Sequence, residues 1–121
     1  MKIRGVDYLM YYVSDLKKGI EFYKNVLGLK PYGEPGESWA EFQVGNVTFD
    51  IGTSDKDMAG KCAGVAFAVE DVGKTLEELK KKGVKIVDEM WTSPVCEGAT
   101  IADPDGNKIS LHHRKDGTFG D

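Results

Sequence analysis

Apolar positions in this chain follow two periods, and the two alternate in the same order twice. The run Val6-Asp7-Tyr8-Leu9-Met10-Tyr11-Tyr12-Val13 reads as a strand and leads into Ser14-Asp15-Leu16. Cys62-Ala63-Gly64-Val65-Ala66-Phe67-Ala68-Val69 repeats it and leads into Glu70-Asp71-Val72. A stripe at helical spacing follows each run: Leu16, Ile20, Tyr23 and Leu27, then Val72, Leu76 and Leu79. Ser14 or Asp15 caps the first helix, and the second starts near Glu70-Asp71. Gly28 and Gly83 supply the residue that ends each one. Lys80-Lys81-Lys82 falls in the last turn of the second helix, where the helix dipole favours cations and the side chains form a solvated face.

The remaining segments alternate with period two. Trp39–Val44 and Val47–Ile51 flank Gly45-Asn46, a hairpin signal. Lys85–Trp91, Gly98–Ala102 and Ile109–His113 are further predicted strands, and Asp103-Pro104-Asp105-Gly106-Asn107 is dense in turn formers. Ala40, Phe42, Val44, Val47, Phe49, Ile51, Ile109 and Leu111 belong to the face that meets the helices. Trp39, Glu41, Gln43, Thr48, Asp50, Ser110 and His112 belong to the opposite face, where a curled sheet would enclose a cavity. The repeat predicts an α+β domain over residues 1–121. It is built from two tandem βαβββ modules, residues 1–57 and 58–121, with a frayed polar tail at 114–121.

Composition narrows the partners. The 121 residues carry a net charge of −4 and a pI near 5.2, which argues against nucleic acid. No apolar run approaches the roughly 20 residues of a membrane span, and Met1-Lys2-Ile3-Arg4-Gly5 has no signal-peptide core, so a cytoplasmic protein is expected. Cys62 and Cys96 are far apart, form no CxxC and are expected to be free thiols.

Two segments resemble a known family. Tyr12-Val13-Ser14-Asp15-Leu16 through Phe22-Tyr23-Lys24-Asn25-Val26-Leu27-Gly28-Leu29 is similar to its V-S-D-L…F-Y-x-x-x-L-G-L pattern, and Asp103-Pro104-Asp105-Gly106-Asn107 to its D-P-D-G-N pattern. With the internal repeat, these mark a resemblance to the glyoxalase / bleomycin-resistance / extradiol-dioxygenase superfamily, also called vicinal oxygen chelate. The resemblance implies a cupped eight-stranded mixed sheet with helices on its outer face, an open cavity and a homodimer. It leaves activity open, because metal enzymes, antibiotic-sequestering proteins and metal-free members share the fold.

Metal-using members place one His, Gln or Glu ligand on each of four strands. The corresponding positions here are Tyr8, Asp50, Gly64 and Ser110. Asp50 pairs with Ser110 by in/out alternation, although aligning the Gly-Asn turns directly would pair it with Leu111. One ordinary ligand among four falls short of the roughly three a catalytic metal needs, so neither metal nor other cofactor is expected. An atypical site from Asp50, Glu41 and His112 stays open. The expected ligand-binding residues are Tyr8, Met10, Tyr12, Trp39, Glu41, Asp50, Trp91, Ser110 and His112, with Gln43, Thr48 and Thr100 beside them. Aromatic groups next to acids suit a small organic, aromatic or cationic molecule, and either Trp could equally serve a core or interface. The alternative is a metal-free lyase or isomerase, with Asp50 or His112 as base and Tyr8 as acid. Metal-dependent lyase or dioxygenase chemistry stands behind both.

Overall fold

The computed structural model describes residues 1–119. Two compact units divide the chain, Met1–Ala59 and Gly60–Asp121. In the first the elements run β1 (Tyr8–Tyr12), α1 (Leu16–Ile20), a π-helical turn (Glu21–Val26), β2 (Lys30–Pro31), β3 (Trp39–Val44), β4 (Val47–Gly52) and a short 3-10 turn (Lys56–Met58). In the second they run β5 (Val65–Ala68), α2 (Val72–Lys81), β6 (Lys85–Thr92), β7 (Cys96–Ala102) and β8 (Lys108–Arg114). The eight strands form two four-stranded mixed sheets, ordered β1-β4-β3-β2 and β5-β8-β7-β6. In each, the first strand runs parallel to the last and the other pairs are antiparallel. The βαβββ unit is therefore present twice, and the fold is α+β.

Local chemistry explains the element ends. Asp15 Oδ1 accepts from Lys18 N at 3.0 Å and Asp71 Oδ1 from Lys74 N at 2.9 Å, so an aspartate caps each helix. Gly28 (φ 76°) and Gly83 (φ 78°) adopt the left-handed conformation that a Cβ disfavours. The first helix departs from its expected stripe. Its second half is a π turn, with Leu27 N donating to Phe22 O at 2.9 Å. The wider turn lets neighbouring Phe22 and Tyr23 both reach the core, while Leu16, Ile20 and Leu27 stay half-buried.

Each helix covers one face of its own sheet. Under α1 the core holds Tyr11, Phe42, Phe49 and Ile51, with the Tyr23 ring 5.2 Å from that of Phe49. A Cβ on Gly19 would sit 2.9 Å from Ile51 Cδ1, so a glycine there lets the helix approach the sheet closely. Under α2 lie Val65, Ile101, Ile109 and Leu111, with Val72, Leu76 and Leu79 from the helix. The two-residue β2, which periodicity could not flag, pairs with Phe42 and Gln43 of β3.

The turn before β8 is a buried polar clamp. Asn107 is fully buried, and its Oδ1 accepts from Gly60 N (2.8 Å) and Cys62 N (2.9 Å). Its Nδ2 donates to Asp103 Oδ2 at 2.8 Å, while Asp103 Oδ1 accepts from the backbone of Asp105 and Asn107. The segment entering β5 is thus tied to the β7–β8 turn.

The segment expected to fray begins within the last strand. Arg114 still belongs to β8, Lys115 N donates to Val95 O at 2.9 Å, and Thr118 N donates to Asp116 Oδ1 at 3.0 Å. These bonds describe the start of the tail alone, and the expectation for residues 120 and 121 lies outside the described residues. Cys62 and Cys96 are half-buried, and neither forms a disulfide among the described residues. Among the described residues no helix is long and apolar enough to cross a membrane.

Candidate functional site

The face of the first sheet turned away from α1 is built in three rows by strand register. Tyr8, Thr48 and Gln43 form one row, Met10, Asp50 and Glu41 the next, and Tyr12, Gly52 and Trp39 the third. Six expected ligand-binding residues thus share a single face: Tyr8, Met10, Tyr12, Trp39, Glu41 and Asp50. Tyr8 (55% exposed) and Trp39 (44% exposed) present their rings, whereas Asp50 is only 9% exposed. Asp50 Oδ1 is buried and finds no hydrogen-bond partner among the described residues. Burial, then the negative charges of Glu41 and Asp7, push its carboxyl above the ordinary aspartate range.

The second sheet carries the other three. Trp91, Gly98, His112 and Ala68 share one row, and Asp88, Thr100, Ser110 and Ala66 the next. The Trp91 and His112 rings lie 6.0 Å apart at 53°. His113 alternates to the helix side, where Nδ1 donates to Val69 O at 3.1 Å.

Register resolves which residues of the two units correspond. Met10 lies six residues before the helix-initial Leu16 and Ala66 six before Val72, and their ladder partners are Asp50 and Ser110. Asp50 therefore corresponds to Ser110, and Leu111 belongs to the core.

Gly36, Gly98 and Asp7 were not expected at these faces. A Cβ on Gly98 would collide with the Trp91 ring, standing 2.6 Å from Cε2. A Cβ on Gly36 would stand 2.6 Å from Trp39 Nε1. On Gly52 it would meet Ser38 O at 3.3 Å and Met10 Sδ at 3.4 Å. Gly36 and Gly98 are the beds on which the two indoles lie, and a glycine inside a strand, as at Gly98, is the signal that marks such close approach.

The four positions that the resemblance assigns to metal ligands offer one phenol (Tyr8), one carboxylate (Asp50), one hydroxyl (Ser110) and, at Gly64, no side chain. Among the described residues no group of three or more His, Cys, Asp and Glu could hold a metal ion. Asp50 and its neighbour Glu41 make two carboxylates, one short of the roughly three firm ligands a catalytic site supplies. This donor set does not fit the family's metal.

A family model described as the Glyoxalase/Bleomycin resistance protein/Dioxygenase superfamily matches residues 5–111. A probable lactoylglutathione lyase of Synechocystis is 32% identical, over 84% of this chain and 89% of its own length. A lactoylglutathione lyase of Salmonella typhimurium is 30% identical, over 92% and 93%. Among solved structures, TnmS3, described as an antibiotic binding protein from Streptomyces sp. CB03234, superposes with a TM-score of 0.83 at 26% identity, over 95% of this chain and 99% of its own.

Proposed function

From the premise that this chain belongs to the glyoxalase/bleomycin resistance protein/dioxygenase superfamily, we propose that it binds a small organic molecule on the open face of its first sheet, without a metal. The observation that carries the reading is Asp50, a buried carboxyl with an unsatisfied oxygen, set among the rings of Tyr8, Tyr12 and Trp39. Apolar aromatic surface around a few fixed polar groups is the usual make-up of a small-molecule site. The likeness to TnmS3 supports binding over turnover. Trp91, Ser110 and His112 are proposed as ligand-binding residues of the second sheet's own open face, and a homodimer in the cytoplasm completes the reading.

The test is thermal stabilisation across a panel of antibiotics that includes bleomycin. A ligand at about 100 times its Kd adds roughly 2.7 kcal/mol of stability and is recovered chemically unchanged. Trp39→Ala weakens that binding. No stabilisation by any compound in the panel overturns the reading.

A second reading draws on the relatives described as lactoylglutathione lyases. Here Asp50 is a general base, its carboxyl raised by burial above the ordinary aspartate range, Tyr8 is the acid and His112 the other base candidate. It requires Asp50→Asn to abolish turnover of some carbonyl substrate while binding persists, and unchanged turnover excludes Asp50 as the base.

A further inference from the structure

Asp50 Oδ1 has no hydrogen-bond donor among the described residues. Asp50 sits mid-row between Met10 and Glu41 and is 9% exposed. Buried acceptors are normally satisfied, so a group of this kind calls for a hydrogen-bond donor. Its row supplies none, since Met10 offers a thioether and Glu41 a second carboxylate. Next along β4, Gly52 has no side chain, and the groups closest above it are Met10 Sδ and Ser38 O, both acceptors. The Met10 side chain is flexible and can swing aside without breaking a strong hydrogen bond.

The acids and the aromatics occupy adjacent rows. Glu41 and Asp50 form one, and Trp39, Gly52 and Tyr12 the next, about 7 Å along the strands. That spacing matches one aryl ring and a polar substituent. The groups acting on Asp50 are Glu41 and Asp7, both acids, so the local field favours a cation over a neutral donor. Two carboxyls on neighbouring strands further suit a planar group that carries two N–H donors side by side.

We propose that this face recognises an aryl cation bearing paired N–H donors, of the amidinium or guanidinium class. One donor goes to Asp50 and the other to Glu41, and the ring lies on the Trp39–Gly52–Tyr12 row. This inference rests on the reading of the first sheet as an organic-ligand site, and it makes Asp50 the residue that selects charge. The bound cation supplies the donor Asp50 lacks and offsets the repulsion among the three acids.

Benzamidine and benzamide have nearly the same shape and differ in charge and paired donors, so NMR titration of each into isotope-labelled protein is the test. Benzamidinium shifts the amides of Met10, Asp50 and Gly52 and the Trp39 indole N–H, and binds at least about tenfold more tightly than benzamide. Asp50→Asn removes that advantage. Glu89→Gln, which deletes a charge from the exposed Lys80–Glu89 pair, preserves it. Equal binding of the two probes, or equal losses in both variants, overturns the inference and leaves the organic-ligand reading standing. Absence of binding by either probe, while a neutral antibiotic of the panel stabilises the protein, does the same. If neither probe nor any antibiotic binds, both fall.

Discussion

Asp50 and Ser110 occupy the same place in the two repeats, the last strand of each sheet, opposite Met10 and Ala66 respectively. One is a buried acid facing a second acid across the ladder. The other is a half-buried hydroxyl facing the hydroxyl of Thr100. The surroundings diverge in step, with Tyr8, Met10 and Tyr12 on β1 where the second unit has Gly64, Ala66 and Ala68. A duplicated fold keeps its core and capping chemistry in both copies, because both must bury an apolar face. The open faces are under no such constraint. Here the first carries the rings of Tyr8, Tyr12 and Trp39 beside Glu41 and Asp50, and the second carries Trp91, His112 and Asp88 among smaller residues.

The turns contrast just as sharply, and they give the largest expected effect. Gly45-Asn46 closes an exposed hairpin, whereas Asn107 is buried and holds Gly60, Cys62 and Asp103. Asn107→Ala leaves two backbone N–H groups and a carboxylate oxygen without their partner, and should cost about 3 kcal/mol or more in denaturant unfolding. Asn46→Ala should stay within about 1 kcal/mol. Similar losses for the two would erase the difference between the turns.

Asp50→Asn should act in the opposite direction, adding about 1 kcal/mol at neutral pH by removing a buried charge without a donor. The pH dependence carries the sign. The folded-state pKa lies above the unfolded one, so the native state binds more protons between the two values. This residue's contribution to stability is therefore greatest below the unfolded value and falls as pH rises through the raised folded value. Asp50→Asn should flatten that part of the stability–pH curve, whereas Ser110→Ala should leave its slope unchanged. A variant curve parallel to that of the parent protein would remove Asp50 as the cause.

Gly98→Ala carries the smallest effect on stability. The half-exposed Trp91 ring can swing away from the new methyl, so the cost should stay under about 1 kcal/mol while the indole fluorescence shifts. Gly36→Ala should do the same to Trp39 in the first unit. An unchanged spectrum in either variant would mean that its indole does not rest on that glycine.

Much of this was legible in the sequence, and the misses have physical causes. Asp15 and Asp71 announce the helix starts through the capping chemistry of their carboxylates. Alternation placed Trp39, Glu41 and Asp50 on one face because successive strand residues must point opposite ways. It could not give the depth of Asp50, which depends on what surrounds it in three dimensions. The π turn escaped because a 3.6-residue period admits only one of Phe22 and Tyr23 to the core. Asn107 read only as a turn former, since its partners Gly60 and Cys62 lie more than forty positions away. Strand β2 is two residues long and contains Pro31, below what any periodicity can register.

The proposed organic-ligand site depends on Asp50 being a buried carboxyl whose Oδ1 has no partner among the described residues. The direct measurement is an NMR pH titration of the Asp50 carboxyl carbon, with and without equimolar zinc. The prediction is a midpoint above the ordinary aspartate value of 3.8 that zinc leaves unchanged. A midpoint at or below that value, or one that zinc drives downward, would contradict it.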